Sequence, residues 1–288
     1  SRRDSRRRTA HGAPAPHATA HRIRNQASRI PEIIIERPSA VPQRKLLGPI
    51  KLGLQQAYYD DANWERVLRR LCGEQRMMDS MSSPFAPAVM TLATVISVEP
   101  AKVFLSRNMD VARGQQSRYL GGQALRVREA IRCTTAAPTL FTPLEIDGTT
   151  YCDGAFFANN PSAAVFNEAQ RLYPGVPVEC LVSVGSGTFF EKDGGYDFEF
   201  GWDTVVNALV EAATETERTH EALSSFLPPS RYFRFNPRMR CIAIDETNPT
   251  VLAEHKAAAR DYFKDPDNAE RLQELARLIN GEELADNH

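Results

Sequence analysis

An α/β fold with a largely parallel sheet is what the sequence predicts, on three observations. Runs rich in β-branched residues alternate with amphipathic runs, without internal repeats, along most of the chain. Glycine and proline pairs punctuate the joints between them. The 288 residues, 42% hydrophobic and 25% charged, match a globular chain long enough to bury a sizeable core.

The elements follow in order. NWERVLRRLCG (Asn63 to Gly73) places Trp64, Val67, Leu68 and Leu71 on one helical face, with Gly73 as its stop. PAVMTLATVIS (Pro87 to Ser97) and AKVFLS (Ala101 to Ser106) read as strands, the first of them buried and central. GQALRVREAIR (Gly122 to Arg132) reads as a helix with Leu125, Ala130 and Ile131 inward. PSAAVFNEAQRLY carries Val165, Phe166, Ala169, Leu172 and Tyr173 on one face, with Asn160 as cap and Pro161 as first helical residue. Leu181 to Val184 reads as a second central strand, ending in Gly185 and Gly187. Asp203 to Phe226 reads as a long amphipathic helix, Ser230 to Asn236 as a strand, and DNAERLQELARLIN as the last helix. In TFFEKDGGYDFEFGW the rings Phe198, Phe200 and Trp202 alternate, which suits a half-buried strand better than a lipid-facing patch.

Charge divides the chain. Residues 1–45 hold eleven Arg and Lys against three acids, or +8, while the whole chain carries −1. The first thirty residues have almost nothing large and apolar to bury, so 1–45 reads as a disordered basic arm. Its Arg-rich, acid-poor character resembles an organelle transit peptide, and an extension without an address is the equal alternative. No aromatic residue interleaves with these arginines, so a nucleic-acid partner is not expected.

Most chemistries lack their residues. The five cysteines (Cys72, Cys133, Cys152, Cys180, Cys241) are scattered without a CxxC pair, which argues against a zinc site or disulfide framework and for a reducing compartment. Three of the six histidines (His11, His17, His21) lie in the arm, leaving His220, His255 and His288. Without HExxH, a P-loop or a full GxGxxG, neither a metal nor an organic cofactor is expected. His220 falls mid-helix, where a solvated or packed ring is the plain reading.

YCDGAFFANNP is different. Asp153 stands where a strand passes to a helix, and Gly154 permits a tight turn or a close approach. An acid fixed there can act as a general base or orient one. On local sequence alone, a simple Asp-Gly turn with the acid bonded to nearby amides is the commoner arrangement.

The ordered motifs AIRCTTAAP, DGAFFANNPSA, VECLVSVGSG and YFRFNP with Asp245-Glu246 resemble the patatin-like phospholipase family, most closely its calcium-independent, gamma-type members. YYDDANWERVLRRLCG and FLSRNM are similar to the family's preceding segment, so the resemblance runs from about Leu46 to Pro266. It implies a three-layer α/β fold over residues 46–288, of which this sequence reads as the C-terminal part, without the N-terminal strands. It implies hydrolysis of acyl lipids by a serine–aspartate dyad, with Asp153 as proton acceptor and Gly154 and Ala155 completing the motif. It also implies a membrane phospholipid or other acyl lipid as substrate, peripheral membrane contact, and an intracellular setting, organellar or membrane-associated.

Two family motifs are absent from the sequence as given: the G-x-S-x-G nucleophile elbow and the glycine-rich G-G-G-x-R-G loop. Ser39 lacks flanking glycines, and Ser186 in VGSG reads as part of a strand-end turn. A fragment of a hydrolase and an inactive lipid-binding or scaffold form are therefore both expected readings.

Overall fold

The computed structural model describes residues 59–82, 86–111, 116–138, 140–189, 216–240, 242 and 246–282. The arm over 1–45 with Ser39, the 203–215 portion of the long helix, and the aromatic rings beyond Phe189 lie outside them.

Helix α1 (Asp61–Cys72) starts where the Asp60 carboxylate accepts the Ala62 N–H at 2.9 Å. Strands β1 (Met90–Val95) and β2 (Lys102–Arg107) follow, then β3 (Leu120–Gly122) and α2 (Val127–Thr134). Strands β4 (Leu144–Ile146) and β5 (Thr149–Asp153) form a hairpin leading into the single turn α3 (Ala155–Ala158) and α4 (Ser162–Leu172). The chain continues through β6 (Leu181–Val184), β7 (Thr188–Phe189), α5 (Glu217–Phe226), β8 (Tyr232–Phe235) and β9 (Arg238–Met239). It ends with α6 (Pro249–Tyr262) and α7 (Pro266–Ile279).

The main sheet has the order β3-β2-β1-β5-β4, and only β2–β3 is parallel within it. This corrects the expectation of a largely parallel sheet. The connections explain it. β1 and β2 are joined by Ile96 to Ala101 and β4 and β5 by Asp147-Gly148, far short of the dozen or so residues a parallel crossover needs. Asp147 and Gly148 both take positive φ, 49° and 75°, as a two-residue hairpin turn requires. The parallel pairs β6–β8 and β7–β9 form two small sheets.

β1 is central, as its composition predicts, and alternation sends its residues to two faces. Leu92 packs with Val103, Leu105 and Ala164 of α4, while Ala93 and Val95 pack with Tyr151 and Cys133 of α2. One helix thus covers each face, a helix–sheet–helix layering. The β6–β8 pair repeats the scheme: Leu181 and Tyr232 meet Leu223 of α5, and Phe233 and Phe235 meet Leu275 of α7. β6 pairs only with β8 among the described strands, and Val182 and Val184 are exposed, so it is not a buried central strand there.

Two helices differ from expectation. α2 begins five residues late because Gly122 belongs to β3, and Arg126 opens the helix through a backbone bond to the Glu129 carboxylate at 2.9 Å. In α4 the buried line is Ala164, Glu168 and Leu172, with Tyr173 exposed. The face rotates because Glu168 is fully buried against Arg107 of β2. Arg107 Nε donates to Glu168 Oε1 at 2.7 Å, and the Ser117 hydroxyl donates to Oε2 at 2.9 Å. Phe166, on nearly the opposite side of the helix from that line, packs toward the β6–β8 sheet, so α4 joins the two sheets. In α6 an Asn-Pro pair does start the helix: Asn248 is its N-cap, Oδ1 accepting the Thr250 N–H at 2.9 Å, and Pro249 is the first helical residue.

Candidate active site

Asp153 ends β5 beside the central strand, paired with Ala93 of β1. Its backbone is held from both sides. Its N–H donates to the Ala136 carbonyl at 3.1 Å, and its carbonyl accepts from Thr94 Oγ1 at 3.0 Å. The carboxylate is half-buried, and Oδ1 accepts the Ala155 N–H at 2.7 Å. Oδ2 takes no hydrogen bond among the described residues. Burial pushes this carboxyl above its ordinary range, and the Ala155 N–H draws it partly back. The result is an acid with one oxygen anchored, the other available, and a proton affinity raised toward that of a working base.

Gly154 is not there for a left-handed turn: its φ is −64°. A Cβ at this position would stand 2.2 Å from the Leu92 carbonyl oxygen and 2.8 Å from Leu92 Cδ2. That carbonyl also accepts Thr134 Oγ1 at 2.6 Å, which fixes it in place. The chain's two described Asp-Gly pairs thus do different work: 147–148 turns a hairpin, and 153–154 lets β5 and α3 press against β1. Gly154→Ala is expected to lower stability by about 1–3 kcal/mol or more, because backbone must move to admit the methyl group. Urea unfolding measures it, and a change within error would remove the close approach as the reason for glycine.

Ala155 contributes its N–H, and α3 then displays Phe156 and Phe157, 54% and 55% exposed. Beyond it, Asn160 is buried with its Oδ1 accepting the Ser162 N–H at 3.2 Å, but the N-cap of α4 is Pro161, one residue later than the sequence predicts. Asn160 Nδ2 donates to the Thr216 carbonyl at 3.2 Å, tying this loop to the start of α5.

Other sequence candidates fall elsewhere. Ser186 is exposed in the loop after β6, and no hydrogen bond joins it to Asp153. His220 is packed on α5, with Nδ1 3.1 Å from the Tyr232 hydroxyl and 3.2 Å from Ser224 Oγ. Cys133 lies against the sheet, where burial pushes its thiol up to about 12. Among the described residues no cluster of His, Cys, Asp and Glu could hold a metal ion. Sequence reasoning missed the polar group around Arg234 of β8, whose side chain is 7% exposed and pairs with Glu217 at 2.9 Å. An arginine interrupting the apolar run Tyr232-Phe233-Arg234-Phe235 was the available signal.

Comparison with known proteins bears on this geometry. Residues 17–166 match the family model for patatin-like phospholipase. The chain is 32% identical over 244 residues to a calcium-independent phospholipase A2-gamma of Homo sapiens, covering 83% of this chain and 31% of that protein. The Oryctolagus cuniculus protein of the same name is 31% identical over 242 residues, with 83% and 30% covered. Phospholipase A I of Arabidopsis thaliana is 30% identical over 266 residues, with 78% and 20% covered. The chain therefore spans less than a third of the length of these relatives. With the family model matching more than half of the chain and a D-G-A turn built at the end of β5, the chain belongs to the patatin-like phospholipase family.

Proposed function

We propose that this chain supplies the proton acceptor of a lipid acyl hydrolase that works through a serine–aspartate dyad. The observation that carries the reading is the Asp153 carboxylate, pinned through Oδ1 on a rigid strand end with burial raising its proton affinity. In the reaction Asp153 takes the serine proton as the serine oxygen bonds to the ester carbonyl carbon. When the tetrahedral species collapses, the ester C–O bond breaks and the same proton passes to the leaving alcohol. Water then attacks the acyl-serine with Asp153 again accepting a proton; the acyl bond to the serine oxygen breaks, that proton passes to the serine oxygen, and the carboxylic acid is released. The relatives' names point to phospholipid as the acyl lipid. Phe156 and Phe157, exposed beside Asp153, would give peripheral contact with a lipid surface in an intracellular, membrane-facing setting. No described helix is long and apolar enough to cross a membrane.

A second reading rests on the lack of a G-x-S-x-G elbow in the sequence given: a lipid-binding or scaffold protein that keeps the fold without the reaction. On either reading the chain as given is expected to show background esterase activity and no stoichiometric labelling by a fluorophosphonate. Stoichiometric labelling of one serine overturns that expectation. The readings part when a relative's segment bearing both missing motifs is fused ahead of residue 46. Ester hydrolysis by the fused chain that needs Asp153 supports the hydrolase. A folded fusion that hydrolyses nothing supports the scaffold.

A further inference from the structure

A cleft of about 360 Å³ runs along β6 from Leu181 to Ser186, reaching past the end at which the parallel strands β6 and β8 stop together. Ligands of α/β proteins commonly sit outside the carboxyl ends of such strands. Its polar wall comes from Asn160, Ser162, Ser183, Ser186, Thr216 and Arg234. Of the three clefts described, this one alone has no carboxylate among its described lining residues: Glu65, Glu129, Glu145 and Asp147 line one of the others, and Glu217 lines the second, which shares Arg234 with this one. Its chemistry is therefore that of donors and one cation.

Arg234 is the centre of it. Nη1 donates to Ser183 Oγ at 3.1 Å and Nη2 to Glu217 Oε1 at 2.9 Å, while Nε is buried without a partner. Nη2 also donates to Thr216 Oγ1 at 3.3 Å, and the unsatisfied N–H on a guanidinium that is 7% exposed carries a desolvation cost. Three further features converge on the same space. The eleven-residue helix α4 begins at the wall with Ser162, presenting the positive end of its dipole. The Ser162 and Ser183 hydroxyls lie 2.9 Å apart and can reorient toward an acceptor. Gly185 and Ser186 carry the strand-end backbone past the opening.

We propose that this cleft binds a phosphate group. Guanidinium and hydroxyl donors approach from different directions beside the positive end of a helix, which matches a tetrahedral oxyanion with several acceptor oxygens better than a planar carboxylate. Only the source of the phosphate rests on the hydrolase reading: a phospholipid headgroup if that reading holds, free phosphate otherwise.

The test is isothermal titration of the full chain with inorganic phosphate, against chloride at matched ionic strength, repeated with glycerophosphocholine as a competitor. Saturable phosphate binding is expected, weakened roughly tenfold or more in Arg234→Gln and in Ser186→Asp. Ser186 is exposed, so its substitution puts a negative charge at the cleft mouth without touching the buried Arg234–Glu217 pair. It decides the matter even if Arg234→Gln fails to fold. Displacement of phosphate by glycerophosphocholine assigns the site to a lipid headgroup, and binding that it does not displace assigns it to free phosphate. No saturable binding by the folded chain, or unchanged affinity in Ser186→Asp, overturns the proposal. Hydrolysis is not read at any stage, so a chain that binds phosphate but cleaves no ester separates this site from the hydrolase reading.

Discussion

Asp153→Asn is expected to cut ester hydrolysis by the fused chain roughly 10²–10⁴-fold, with kcat carrying the loss and KM little changed. An amide keeps the shape and can still accept the Ala155 N–H, but it cannot take a serine proton. The same substitution should raise stability at neutral pH. Burial holds the folded Asp153 carboxyl above its ordinary value, so ionising it costs more in the folded chain than in the unfolded one. That cost is present above the folded pKa and fades as pH falls through it toward the ordinary carboxylate value, below which acid and amide become equivalent. Thermal melts of both forms between pH 3 and pH 8 should therefore diverge upward with pH, the asparagine form being the more stable. An asparagine form that is less stable at pH 7 and fully active would show a structural acid in place of a base. Opposite signs in activity and stability are the mark of a group kept for its chemistry.

Glu168→Ala is expected to be the most damaging single change to the fold, about 3–5 kcal/mol, because it leaves the Arg107 guanidinium buried without its counter-charge. At the usual sensitivity of a domain of this size, that lowers the thermal midpoint by roughly 10 °C. Its effect should spread, since α4 packs Ala164 on the main sheet and Phe166 toward the β6–β8 sheet. The control is the double substitution Arg107→Met with Glu168→Met, which removes both charges at similar volume and should recover most of the loss. Ser117 stays behind without its charged partners, so full recovery is not expected. If Glu168→Ala costs less than about 1 kcal/mol by urea unfolding, the range of an exposed pair, the buried pair does not hold α4 on the sheet.

Local rules made much of this architecture legible. The apolar spacing of Trp64 and Leu68, the β-branched run at Met90 to Val95, and the Asn160-Pro161 start of α4 each depend on neighbours within a few residues. Such features are written in the chain itself. The Asp147-Gly148 hairpin and the Asn248-Pro249 helix start belong to the same class, although neither is among the expectations drawn from the sequence above. Asp153 was legible as a candidate because strand, acid, glycine and helix stand in order there, and because the family's motifs surround it.

Tertiary structure decided what depends on partners distant in sequence. It set the main sheet mostly antiparallel, since pairing direction belongs to two strands and their connection together. It gave Gly154 its reason, a carbonyl of Leu92 sixty-odd residues earlier in the chain. It rotated the buried face of α4 from the line of Val165 and Ala169 onto Ala164 and Glu168, because Arg107 waits across the gap. It also brought Arg234, Ser183 and the start of α4 around one cleft. A charge is placed inside only when its counter-charge arrives with it, and that arrival is a property of the folded chain.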